Sequence, residues 1–187
     1  MKTTSPIDRE LFSAEQIRAR ISELARELAH HYGQDEFLAV ALLKGSFVFT
    51  ADLIRALAAH HAHPMVDFIA LSSYGEGTTS RGTVELRHKL SLPVRGQRVL
   101  LIDDILDTGR TLQAACQILA EHGAAEVRTC VLLDKPSRRV VPVSADYTGF
   151  EVGNVFVVGY GLDYNNRYRH LPGLATLVLK ESGPDSL

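Results

Sequence analysis

Apolar residues recur at helical spacing at Ile17, Ile21, Leu24 and Leu28, just after Ser13 and Gln16. A serine followed three residues on by a glutamine is a capping box, in which each side chain satisfies a backbone N–H at the helix start, so the pattern predicts a helix ending near Tyr32 and Gly33. Residues 37–43 are an unbroken apolar run, as expected of a strand buried on both faces, and residues 47–59 return to helical spacing. Together they open a βαβ arrangement. Residues 65–71 predict a second strand, and residues 72–82, rich in Ser, Gly, Thr and charge, predict a mobile loop. Residues 83–90 alternate like an exposed strand, residues 93–97 form a turn, and residues 98–102 predict another buried strand. A helix over 111–122 then stops at Gly123. Strands are expected at 126–133, 155–158 and 175–179, with a loop at 134–146 holding two prolines.

Strands alternating with helices imply an α/β fold, a mostly parallel sheet with helices on both faces, whose ligands bind beyond the carboxyl ends of the strands. At 187 residues and 45% hydrophobic content, one domain spanning 1–187 is the expectation, with no repeat, low-complexity tract or linker. Twenty basic against 22 acidic residues leave a net charge of −2, which argues against a nucleic-acid surface or an anionic membrane and for small-molecule partners. No apolar run is long enough to span a bilayer and the first residues lack the order of a signal peptide, so a cytoplasmic protein is expected. Cys116 and Cys130 sit among apolar residues and read as buried thiols. His60, His61 and His63 lie at a helix end without an accompanying carboxylate cluster, which disfavours a metal site there.

The chemistry concentrates where the strand residues 99–102 run into Asp103, Asp104, Ile105, Leu106, Asp107, Thr108, Gly109, Arg110 and Thr111, after which a helix begins. Three carboxylates crowded at a strand end repel one another unless sugar hydroxyls or a divalent cation use them. The stretch from Asp107 to Thr111 offers backbone N–H groups, two hydroxyls and a helix N-terminus, a cradle for a phosphate without a P-loop lysine. No GxxxxGK[ST] occurs, and Gly75, Gly77 and Gly82 are wrongly spaced for a dinucleotide fingerprint. A phosphate beside paired carboxylates points to a ribose phosphate.

On these residues the sequence resembles the type I phosphoribosyltransferases, because VLLIDDILDTGRTL (99–112) is similar to their phosphoribosyl-diphosphate motif. The resemblance extends to the hypoxanthine-guanine branch through LLKGSFVF (42–49), SSYG (72–75), LLDKPSRR (132–139) and FVVGYGLDYNNRYRHLP (156–172). It implies the type I fold, with a small hood built from roughly residues 1–12 and 159–187. Asp103 and Asp104 would then hold the ribose hydroxyls, while Asp107, Thr108, Gly109, Arg110 and Thr111 wrap the 5′-phosphate. Asp107 would also relay a proton at purine N7. Lys44 and Gly45 match the pyrophosphate turn, where relatives carry a cis peptide that here falls at Leu43-Lys44. Arg169 matches a pyrophosphate contact and Asp163 a ligand of Mg2+, which Asp103 and Asp104 would also approach through ribose or water.

By the same resemblance Lys135 donates to the 6-oxo oxygen of the purine, which favours hypoxanthine or guanine over adenine. Phe156 stacks on the base, the Val157 backbone reads its edge and Leu162 closes the other face. Ser73 and Tyr74 belong to a loop that folds over the site. Two departures are visible: the acidic pair is Asp-Asp where many relatives have Glu-Asp, and Arg110 stands where lysine is frequent. The partners implied are phosphoribosyl diphosphate and a 6-oxopurine, with a homodimer or homotetramer expected. A xanthine-preferring enzyme stays open, as does a regulator that senses phosphoribosyl diphosphate and binds RNA, for which Arg138, Arg139, Arg167 and Arg169 are the only local basic clusters.

Overall fold

A computed structural model describes residues 7–73, 84–88 and 90–177. Its elements are β1 (Ile7–Phe12), α1 (Ala14–Tyr32), β2 (Leu38–Leu43), α2 (Phe47–Ala58), β3 (Met65–Ser73), β4 (Val84–His88) and β5 (Arg98–Leu106), then α3 (Arg110–Glu121), β6 (Glu126–Asp134), β7 (Tyr147–Glu151), β8 (Val157–Val158) and β9 (Leu174–Leu177). A 3-10 turn over Pro136–Arg138 follows β6 inside the expected loop. The main sheet has the order β4-β3-β2-β5-β6-β7, parallel except for β4. A second, antiparallel sheet of order β1-β9-β8 joins the amino-terminal segment to the carboxyl-terminal one. This is the hood expected from the terminal segments.

Alternate residues of each central strand feed opposite faces, as the period of two requires. Leu100 and Ile102 pack with α1 and α2 through Ile17, Leu24, Leu28, Phe49 and Leu53, whereas Val99 and Leu101 pack with Leu112, Ala115 and Leu119 of α3. Helices therefore cover both faces, and the continuous apolar runs of β2 and β5 follow from burial on two sides. The capping box at α1 forms as expected, with Ser13 and Gln16 each accepting from the other's amide. At its other end Tyr32 stacks on Phe37, ring centroids 3.9 Å apart, and its hydroxyl donates to the Val99 carbonyl. Large apolar side chains buried this fully contribute about 1.5–3 kcal/mol each.

Two strands escaped the sequence pattern. β1 alternates poorly, with three exposed residues in a row, and exists through irregular pairing with β9 far along the chain. β7 contains Gly149, whose backbone lies against the Leu132 carbonyl too closely for a side chain. As the edge strand it is covered by Arg20, which donates to the carbonyls of Gly149 at 3.0 Å and Thr148 at 2.8 Å. The remaining boundaries shift by a few residues, as at 157–158 and 174–177.

At the amino-terminal end of β6, Glu126 accepts from Arg128 at 2.9 Å, Arg98 at 3.0 Å and the His31 ring at 3.2 Å. These donors, Arg128 first, hold the carboxyl down at about 2, below its ordinary 4.5. A depressed acid stabilises the fold above its unfolded value, and that stabilisation is lost as pH falls through the folded one. Between pH 5 and pH 2 the urea midpoint of Glu126→Gln is therefore expected to fall less steeply than that of the wild type; equal slopes would refute this role.

Candidate active site

The strand order places β2 beside β5, with the chain continuing to β3 on one side and β6 on the other. That is the topological switch of an open α/β sheet, where a crevice opens at the carboxyl ends. A cavity of about 240 Å³ lies there, lined by Gly45 from the end of β2, by Asp103 through Gly109 from β5 and its loop, and by Thr111 and Leu112 of α3. Gly45 is required by close approach, because a Cβ there would collide with the Asp104 carboxylate. Ser46 turns its hydroxyl back to the Leu42 carbonyl at 2.6 Å, which fixes the turn after β2 and leaves the start of α2 without a side-chain cap. The Leu43-Lys44 peptide is cis, as the resemblance implies, and the Lys44 side chain is exposed at the rim.

The acidic pair dominates the electrostatics. Asp103 is buried at 7% exposure and its Oδ1 accepts from the Asp104 amide at 2.9 Å. Burial, and then the Asp104 charge, push the Asp103 carboxyl well above its ordinary range. Burial also raises Asp104, against hydrogen bonds from Asp103 and the backbone and the positive charge of Arg169. Two such carboxyls titrate as a unit, and a cation or a hydrogen-bond donor entering the cavity favours their ionised form.

Beyond the pair, Gly109 adopts φ 86, a left-handed conformation that glycine tolerates, and caps α3 with no side-chain hydrogen bond. The first turn of α3 holds no acidic residue, its Arg110 amide donates to the Thr108 hydroxyl at 3.5 Å, and Thr111 and Leu112 bring the positive end of the helix dipole to the cavity. Asp107, Thr108, Gly109 and Thr111 line that cavity, while Arg110 is exposed on the first turn of α3. Asp107 is held by Arg138 at 3.3 Å.

The other expected residues do not line that cavity. Lys135 is buried at 7% exposure; burial lowers its ammonium below the ordinary value, and the neighbouring Asp107 charge opposes this. Phe156 is 39% exposed and meets Tyr164 edge-on at 5.4 Å, so it is not a core residue. Val157 and Leu162 are buried within the core beneath it. Arg169 pairs with Asp163 at 2.6 Å and donates to the Gly161 carbonyl at 2.6 Å. Gly161 abuts the Gly45 carbonyl, which brings this turn against the turn that follows β2. Ser73 ends β3, and Tyr74 and the remainder of the expected 72–82 loop lie outside the described residues.

The sequence places Arg138 and Arg139 in a basic cluster and gives neither a role at this site. Arg139 donates to the Leu106 carbonyl at 2.9 Å and to the Asp107 carbonyl, and it pairs with Asp134. Partners some 30 residues away leave no local signal. Among the described residues no group of three or more His, Cys, Asp or Glu side chains is arranged to hold a metal. No helix among them is long and apolar enough to cross a membrane.

This combination of sheet, glycine turn at a helix start and paired carboxylates defines a class. A family model described as a phosphoribosyl transferase domain matches residues 9–165. The chain is similar to the hypoxanthine phosphoribosyltransferase of Salmonella typhimurium, 43% identical over 88% of this chain and 92% of that protein. It is also similar to the hypoxanthine-guanine phosphoribosyltransferase of Bacillus subtilis, 42% identical over 91% and 93%. Among solved structures, the Trypanosoma cruzi hypoxanthine phosphoribosyltransferase in complex with its product IMP superposes with a TM-score of 0.87 at 38% identity, over 95% of this chain and 98% of that one. The chain belongs to the phosphoribosyl transferase family, in its hypoxanthine-guanine branch.

Because burial and the Asp104 charge both disfavour an ionised Asp103, Asp103→Asn relieves that cost while retaining an acceptor for the Asp104 amide. For an acid raised in the fold, stability falls as pH rises from the ordinary carboxylate range through the folded values. At pH 7 the variant is expected to gain about 1 kcal/mol, roughly 2–4 °C in Tm for a chain of this size. A lower Tm by calorimetry would contradict the repulsion.

Proposed function

We propose that the protein transfers the 5-phosphoribosyl group of phosphoribosyl diphosphate to hypoxanthine or guanine, giving IMP or GMP and pyrophosphate in purine salvage. The observation that carries this reading is the cavity in which buried Asp103 and half-buried Asp104 face Gly45 beside the glycine-capped start of α3, with Lys135 buried next to Asp107. Asp103 and Asp104 accept the ribose hydroxyls; the amides and hydroxyls from Asp107 to Thr111 bind the 5′-phosphate. Lys44, Gly45 and Arg169 take the pyrophosphate. Lys135 donates to the 6-oxo group, Phe156 stacks on the ring, the Val157 backbone reads its edge and Leu162 closes the other face. Adenine would place an amino group against the Lys135 donor and is rejected.

In the reaction purine N9 bonds to C1′ as the C1′–O bond breaks, and the bonding electrons leave with pyrophosphate. Asp107 accepts the N7 proton that the base must lose. Among the described residues Arg169 is paired with one carboxylate, Asp163, and offers the remainder of its charge to the leaving group. Ser73 and Tyr74 close the site against water.

Mg2+ fits this arrangement. Magnesium is usually held by one or two carboxylates together with substrate phosphates and water, so a dedicated cage of side chains is not needed. Asp163 would contribute directly and Asp103 and Asp104 through ribose or water; the ion supplies positive charge that neutralises the departing pyrophosphate. The RNA-binding alternative loses support because Arg138, Arg139 and Arg169 are each paired with a carboxylate. The same reading makes the protein a cytoplasmic homodimer or homotetramer in which residues 1–187 form one domain.

The test is product formation from the diphosphate and Mg2+ with hypoxanthine, guanine, xanthine or adenine offered separately. Hypoxanthine and guanine are expected to react and adenine to remain unused. Lys135→Met should lower kcat/KM for hypoxanthine by about 10- to 100-fold, the scale of one lost charged hydrogen bond. A preference for xanthine would overturn the base-site reading, and wild-type-like turnover in Lys135→Met would remove that lysine from it.

A further inference from the structure

We propose that Arg139 is a positioning residue that shapes the phosphate loop from behind and so sets affinity for the phosphoribosyl diphosphate; this rests on the reaction proposed above. Its guanidinium donates to the carbonyls of Leu106 (2.9 Å) and Asp107 and is paired with Asp134 across the fork. The side chain is only 15% exposed. Its stem runs directly beneath the left-handed turn, since a Cβ on Gly109 would press on Arg139 Cδ at 3.0 Å.

The main chain of the same segment completes the grip. The Lys135 amide donates to the Leu106 carbonyl and the Val140 amide to the Thr108 carbonyl, both at 3.0 Å. Three successive carbonyls, of Leu106, Asp107 and Thr108, are thus drawn toward residues 135–140. In a trans peptide the C=O of one residue and the N–H of the next point in opposite directions. Pulling those carbonyls one way turns the amides of Asp107, Thr108 and Gly109 the other way, and all three residues line the cavity. An anion there meets amides already aimed, so their ordering is not charged against binding.

The residue type follows from the task. Three acceptors distributed around one side chain suit a planar fork with five donors, and a lysine ammonium could not reach them in the same geometry. Asp134 compensates the charge, so the guanidinium can sit under the loop without drawing the substrate phosphate to itself. Arg139 also links the two halves of the site, because Lys135 stands at the start of the strap that it anchors.

The test is steady-state kinetics of the wild type, Arg139→Lys and Arg139→Ala with the diphosphate and hypoxanthine varied separately, beside calorimetric titration of each protein with the diphosphate. A loop displaced by about an ångström can lose on the order of 100-fold. Arg139→Ala is accordingly expected to raise KM for the diphosphate by about 100-fold with a much smaller change in KM for hypoxanthine, and millimolar guanidinium is expected to restore part of the loss. If Arg139→Ala does not fold, Arg139→Lys shows the same split between the two KM values at lower amplitude. Equal shifts of both KM values, or a lower Tm with unchanged kinetics, would overturn the proposal. Wild-type protein that binds the diphosphate without turnover would instead sink the reaction, and the titrations of the variants would then decide the role of Arg139.

Discussion

The structure turns on two adjacent carboxylates held together at the end of a buried strand. Burial raises both Asp103 and Asp104, and the Asp104 charge raises Asp103 further; hydrogen bonds from Asp103 and the backbone and the field of Arg169 oppose the rise at Asp104. A protein retains such a pair at a net cost to its own stability when a ligand uses it. Under the proposed function, ribose hydroxyls, which donate, and a divalent cation, which neutralises, would reverse the sign of the interaction.

The rest of the fold makes that arrangement possible. The pair can be buried because β5 lies in the middle of a parallel sheet covered by α1 and α2 on one face and α3 on the other. It can be reached because β2 and β5 are neighbours whose connections diverge, which opens the crevice between their ends. Gly45 keeps the facing turn free of a side chain where one would strike Asp104, and Gly161 lets the hood turn rest on Gly45. The small sheet β1-β9-β8 then holds the segment carrying Arg169 and Asp163 against the crevice. Packing, backbone conformation and charge serve one site here.

Much of this was legible in the chain because it is local. The capping box and apolar period of α1, the two-sided burial of β2 and β5, and the passage from strand to acidic loop to helix at 99–111 are each written in contiguous residues. What escaped depends on distant partners. β1 is a strand through β9, and β7 tolerates glycine because it lies against Leu132. The sequence places Arg139 in a basic cluster with Arg138, yet its acceptors are carbonyls at the end of a neighbouring strand. The roles of Lys135 and Phe156 were assigned through resemblance; burial of one and exposure of the other are what the fold adds.

The central claim is that burial raises this pair of carboxyls and that a bound ligand favours their ionised form. Calorimetric titration of the protein with phosphoribosyl diphosphate and Mg2+, in two buffers of different ionisation enthalpy at neutral pH, measures the protons exchanged on binding. The account predicts net proton release in the wild type that largely disappears in Asp103→Asn. Equal proton exchange in both proteins, or none in the wild type, would contradict it.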